Sequence, residues 1–193
     1  MRLLLPQSDY EWQPVSRTAL ICWLAFYLLF LAHAIRSVDG YLWIDNVNLV
    51  THESGHLLFG WLGRTLGLWG GTLMQLLVPF TLALSFAWRG QTAGTAFCAF
   101  FFFENFLGIA RYMGDARAQV LPLVTVGDSG DEGVMHDWFL IFSSLNVLDY
   151  DTRIAAVVRV LGWMGMVATI AWLMFIARRS ELSAENEARS ATA

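Results

Sequence analysis

Apolar and polar positions fall into long blocks along the chain rather than into short alternations. Residues 18–35, 71–88 and 160–177 contain no Asp, Glu, Lys or Arg. Each run reaches the roughly 18 residues at which an apolar helix becomes a candidate to cross a bilayer. Two further stretches are nearly as apolar but carry charge. Residues 45–63 hold His52, Glu53 and His56, and residues 91–113 hold Glu104 and Arg111. With the last run extended back to 154, the pattern predicts an all-α, multi-pass transmembrane bundle. Its five spans are 18–35, 45–63, 71–88, 91–113 and 154–177. They form one integral membrane domain over 1–177, followed by a polar, disordered tail over 178–193.

The connections fit this layout. Residues 1–17 are a polar lead with Trp12 as an interfacial anchor. The first run ends in Ala32-His33-Ala34, a small-residue pattern that also marks signal cleavage sites. Asp9, Glu11 and the length of the lead argue instead for a retained helix. Asp39-Gly40 signals a turn, and the glycines of 64–70 predict a tight turn joining spans two and three. Residues 114–151 form the longest region without a span. It contains an acidic Gly loop at 127–133, oxygen-rich like calcium loops but without EF-hand spacing. Residues 138–148 are apolar but too short to cross, so they lie in the interface or re-enter. Six arginines fall on one side of this five-span layout and five on the other, which sets no orientation.

Composition narrows the class. Of 193 residues, 56% are hydrophobic and 15% charged, against about 25% charged in soluble domains. That excludes a disordered chain and an ordinary soluble globule. The basic residues number 12, all Arg, and the net charge is −4. With no basic run, a nucleic-acid partner is excluded. Two cysteines, Cys22 and Cys98, exclude a disulfide framework and a four-Cys zinc site.

The chemistry lies in His52-Glu53-Ser54-Gly55-His56, an H-E-x-x-H pattern. On a helix the two imidazoles stand one turn apart and reach one Zn2+, and the Glu serves as general base. Depth strengthens the reading, because a charged residue near the bilayer centre costs at least ~2.5–3.5 kcal/mol. Asp45, Asn48, His52 and His56 share one stripe at 3–4 spacing. That stripe faces a protein-lined, partly wet cavity, or else forms a polar helix interface without metal.

Catalytic zinc needs a third protein ligand and an open position. Four residues compete for that role: Asp115, placed first, then His136, Glu104 and Asp137. The others would orient a ligand from behind. Glu104, Gly108, Arg111 and Asp115 form a second stripe. Arg111 there either pairs with Asp115 or Glu104, or steadies a carboxylate or oxyanion. His33 reads as a packed or interfacial side chain. Gln75 and Pro79 mark an inter-helix hydrogen bond and a kink.

The H-E-x-x-H core, with Gly55 before the second His inside an apolar span, resembles the intramembrane zinc metallopeptidases of the site-2 protease type. The glycine turn ending in Gly70-Gly71 and the apolar run after it are similar too. The resemblance covers about residues 45–115 and implies a membrane-embedded zinc peptidase. That family takes its third ligand from an Asp-Gly motif in a later span. Here Asp39-Gly40 precedes the H-E-x-x-H, and Gly114-Asp115-Ala116 is the nearest later substitute.

The leading expectation is therefore a Zn2+-dependent peptidase. It would cleave membrane or membrane-adjacent proteins or peptides within the lipid bilayer, alone, as a homo-oligomer or with an accessory protein. The alternatives are a non-enzymatic membrane zinc protein (sensor, chaperone or complex subunit) and a structural membrane subunit without metal.

Overall fold

The structure is a computed structural model that describes residues 12–122 and 136–191, with no side-chain description for 183–188 and 191. Every regular element among the described residues is helical. They are α1 (Arg17–Arg36), α2 (Asp45–Gly60), α3 (Arg64–Trp88), α4 (Thr92–Gly114), α5 (Asp137–Ser144) and α6 (Asp151–Ala191), with a 3-10 turn at Leu148–Tyr150. Four helices are long and apolar enough to cross a membrane: Arg17–Arg36, Arg64–Trp88, Thr92–Gly114 and Leu148–Leu182. Their outer faces carry bare apolar side chains such as Leu29, Leu84 and Val157. Such a surface suits lipid and is rare in a soluble monomer.

Three expectations change. The second expected span, 45–63, is a helix of 16 residues, short of the ~20 that a crossing needs. It stops before Gly63, whose φ of 113° reverses the chain into α3. The expected turn at 64–70 is the first part of α3, a helix of 25 residues. Its glycines are contact points rather than turn residues. A Cβ on Gly67 would lie 3.0 Å from the Gly60 Cα, and one on Gly71 would strike the His52 ring at 2.5 Å. The tail expected to be disordered continues α6 as far as Ala191. The acidic loop at 127–133 and the lead over 1–11 lie outside the described residues.

Helix α4 is the centre, packed on α6 and α3. Its neighbours' directions follow from paired contacts. Gln13 binds Gly90 and Thr92 at 2.8 and 2.6 Å. Trp23 lies on Phe97 and Tyr27 on Phe100, at 5.7 and 4.6 Å. Asp39 accepts from Arg111 at 2.9 Å. So α1 and α4 run the same way. Helix α3 runs against α4, as Gln75 meets Asn105 and Phe80 meets Phe102. Helix α6 also runs against α4: Asp151 meets Arg117, and Phe103 fills the space beside Gly165. The bundle thus has two ends. The α3–α4 turn and the start of α1 lie at one. The loop before α2, the start of α3, the end of α4, α5 and the start of α6 lie at the other.

Candidate metal centre

Helices α2 and α3 form an antiparallel hairpin in which glycine allows near backbone contact. A Cβ on Gly55 would collide with the Gly70 carbonyl, and one on Gly70 with Gly55. This approach carries His52 and His56 into the bundle rather than toward lipid. His52 is 7% exposed.

The protons on both rings follow from two backbone carbonyls, which can only accept. The Phe101 carbonyl takes Asn105 Nδ2–H at 2.9 Å, so Asn105 Oδ1 faces Gln75. That oxygen takes Gln75 Nε2–H at 3.4 Å. Gln75 Oε1 must then accept, and it lies 2.8 Å from His52 Nδ1. His56 Nδ1 lies 2.8 Å from the Gly67 carbonyl oxygen. Each ring therefore holds a proton on Nδ1 and turns its Nε2 away from that carbonyl or amide oxygen; with only that proton, the ring offers its Nε2 lone pair as a ligand.

These two Nε2 atoms converge on a carboxylate. Asp137 Oδ2 is 3.0 Å from His52 Nε2 and 3.1 Å from His56 Nε2, and the two Nε2 atoms are 3.0 Å apart. With both Nε2 atoms unprotonated, three acceptors this close repel one another, and either a proton on an imidazole or a metal ion between them relieves it. His52, His56 and Asp137 form the one metal-capable group of His, Cys, Asp or Glu among the described residues. Zinc binds such atoms at ~2.0–2.2 Å, and tetrahedral angles would separate them by about 3.4 Å. The triangle would open by about 0.3–0.4 Å a side to take the ion at those distances. The donor set fits.

Asp137 opens α5 in its first turn. Burial opposes its charge, but the two imidazoles against it favour the carboxylate and hold its carboxyl below the usual range. Its N–H donates to the Tyr112 hydroxyl at 3.1 Å. His136 caps α5, its Nδ1 accepting from Phe139 N at 3.3 Å. Burial pushes that imidazole below its ordinary pKa, partly opposed by Asp115.

The other sequence candidates take different places. Asp115 accepts from Val120 N and Leu121 N, both at 3.0 Å, and its Oδ2 stands 3.6 Å from His136 Nε2. Asp115 and His136 thus pair with each other rather than join the two-histidine point. Glu104 is fully buried, with Asn48 Nδ2 donating to it at 3.1 Å. Arg111 does not pair with Asp115 or Glu104. It reaches the Asp39 carbonyl and lies 5.4 Å over the Tyr41 ring, because it faces the loop before α2. His33 is exposed on α1. Glu53 is half-buried, and its charge acts on His56 and on Tyr112.

Sequence reasoning ranked Asp137 low and passed over Tyr112. The signal for Asp137 was its place just after a capping residue and before an apolar run of five, Trp138–Phe142. Tyr112 stands three residues before Asp115, on the same face of α4.

No protein-family model, no curated protein and no solved structure matches the chain.

Proposed function

We propose that the chain is a membrane-embedded, zinc-dependent peptidase, with His52, His56 and Asp137 as the metal ligands and Glu53 as general base. The observation that carries this reading is the convergence of two imidazole Nε2 atoms and a carboxylate oxygen at 3.0–3.1 Å, beside a glutamate at the H-E-x-x-H position. A zinc ion there would supply Lewis acidity and lower the pKa of a water molecule. Glu53 would serve as the general base, holding a proton at its carboxylate and passing it to a departing amine. Gln75 and the Gly67 carbonyl keep both rings in the metal-binding tautomer.

Depth suggests the substrate class. Gly67 and Gly71, which touch the two histidines, are three and seven residues into α3. That places the site about 5–10 Å from the helix start at 1.5 Å per residue. We read α1, α3, α4 and α6 as the crossing helices, and α2 as entering and leaving on one side. The site then opens near one membrane face, where a substrate segment just outside its own span can be unwound. Backbone there can exchange its hydrogen bonds for water, which it cannot do in hydrocarbon.

The test uses purified full-length chain in detergent. Zinc is measured by mass spectrometry, and cleavage of a defined peptide library by product analysis with a chelator control. Glu53→Gln is expected to keep about one zinc per chain and to lose roughly 10²–10⁴-fold in cleavage rate. Full cleavage by that variant would end the proposal. Zinc binding without cleavage by the wild type would favour a non-enzymatic zinc protein.

A further inference from the structure

The third group of the centre comes from a short helix far along the chain, and its position needs a cause. Asp137 lies 81 and 85 residues from the two histidines it meets. Helix α5 has only 8 residues, too few to hold its own shape without tertiary support. Trp138, Ile141 and Phe142 anchor its apolar face against Ile109, Met113 and Ala155. Those contacts seat the helix in the bundle.

Two polar contacts act at the start of the helix. Tyr112 Oη accepts the N–H of Asp137 itself at 3.1 Å. One residue earlier, His136 accepts Phe139 N–H through Nδ1, so its proton sits on Nε2. That nitrogen is buried with no hydrogen-bond partner and faces Asp115 Oδ2 at 3.6 Å. Asp115 is in turn gripped by two backbone N–H groups of the segment after α4. The Tyr112 ring stacks on His136, with centroids 4.1 Å apart and planes at 34°. Apart from His136 itself, the supporting groups belong to the end of α4 or the turn after it.

We infer that Tyr112, His136 and Asp115 form a latch that sets Asp137 as the third metal ligand. They are positioning residues that act on the ion only through Asp137. Three side chains that resemble candidate ligands thereby acquire distinct jobs. Asp115 orients His136, His136 caps α5, and Tyr112 holds the ligand's own backbone. The inference rests on the proposed metal centre and is independent of whether the centre hydrolyses peptides.

The experiment measures zinc affinity on the full-length chain in detergent, stripped of metal and titrated against a fluorescent zinc chelator. Asp137→Ala, Tyr112→Phe and His136→Asn are compared, with thermal unfolding of each metal-free variant as a folding control. Phenylalanine keeps the stacked ring but loses the acceptor. Asparagine keeps a capping acceptor but loses the group facing Asp115. Each latch variant is expected to bind zinc about 10–100-fold more weakly, as groups behind a metal ligand typically do. The decisive arm is the double variant Tyr112→Phe, Asp137→Ala. If Tyr112 acts only through Asp137, it binds zinc as Asp137→Ala does, with no further loss. Wild-type affinity in both latch variants, beside a weakened Asp137→Ala, overturns the latch alone. An additive double variant overturns it too. Failure of the wild type to bind zinc overturns the centre and the latch together.

Discussion

A histidine ring one methyl group from a collision is a sensitive probe of how this site is built. His52 lies where a Cβ on Gly71 would come within 2.5–2.6 Å of three of its ring atoms. Gly71→Ala is therefore expected to push the ring away from Asp137 and abolish zinc binding. The overpacking should also destabilise the fold by about 1–3 kcal/mol. Gly60 is the matched control, since nothing lies within 4 Å of its missing Cβ. Gly60→Ala should keep zinc and leave stability unchanged or raise it by about 0.5–1 kcal/mol. Zinc content and thermal unfolding of the two variants check both statements. Glu104 poses the opposite question. It is fully buried, Asn48 donates to one of its oxygens, and Oε1 has no partner. Glu104→Gln keeps an acceptor for Asn48 and removes an acid from apolar surroundings, where a charge is costly. That variant is expected to unfold at the wild-type temperature or above, with zinc content unchanged. Loss of zinc would return Glu104 to the ligand set.

At the level of elements, periodicity exposed the long helices and obscured the short ones. Runs such as 18–35 and 91–113 lie within one or two residues of α1 and α4, because a helix apolar all round has an unmistakable length signal. The glycines at 67, 70 and 71 misled, since a glycine that starts a turn and one that lets two helices touch look alike in sequence. Only the partner decides, and here it is α2. The H-E-x-x-H residues were legible because both histidines lie on one helix, one turn apart. The third group was not, because its place depends on how α5 folds back over α4. A carboxylate such as Asp115 could be ranked by type and reach alone. Its two backbone donors, which leave it facing His136, exist only in the folded turn after α4. Gln75 fell between these cases. Its inter-helix bonding was readable, but its role in fixing the His52 tautomer required Asn105 and the Phe101 carbonyl.

For the whole molecule, the direction of the helices limits how the chain can sit in a membrane. Helices α1 and α4 run one way, and α3 and α6 the other, as their paired contacts fix. Asp39 sits beside Arg111 near the end of α4, and Gly60 adjoins Gly67 near the start of α3. The segments on either side of α2 therefore lie at the same end of the bundle, while its first turn lies against Glu104 and Gly108 inside α4. A crossing α2 would need α1 and α3 to start from the same side, and that conflicts with their opposite directions. Labelling tests this directly in liposomes, with Cys22 and Cys98 replaced. Single cysteines at Val38, Leu62 and Arg89 report the loop before α2, the turn after it and the α3–α4 turn. A membrane-impermeant thiol reagent should label Val38→Cys and Leu62→Cys from one side and Arg89→Cys from the other. Labelling of Val38→Cys and Leu62→Cys from opposite sides would instead make α2 a fifth span. It would also put the metal centre in mid-membrane, where a substrate would have to enter through lipid. The same-side result leaves the centre within a helical turn or two of water and, for the proposed peptidase, makes a juxtamembrane peptide the first substrate to offer.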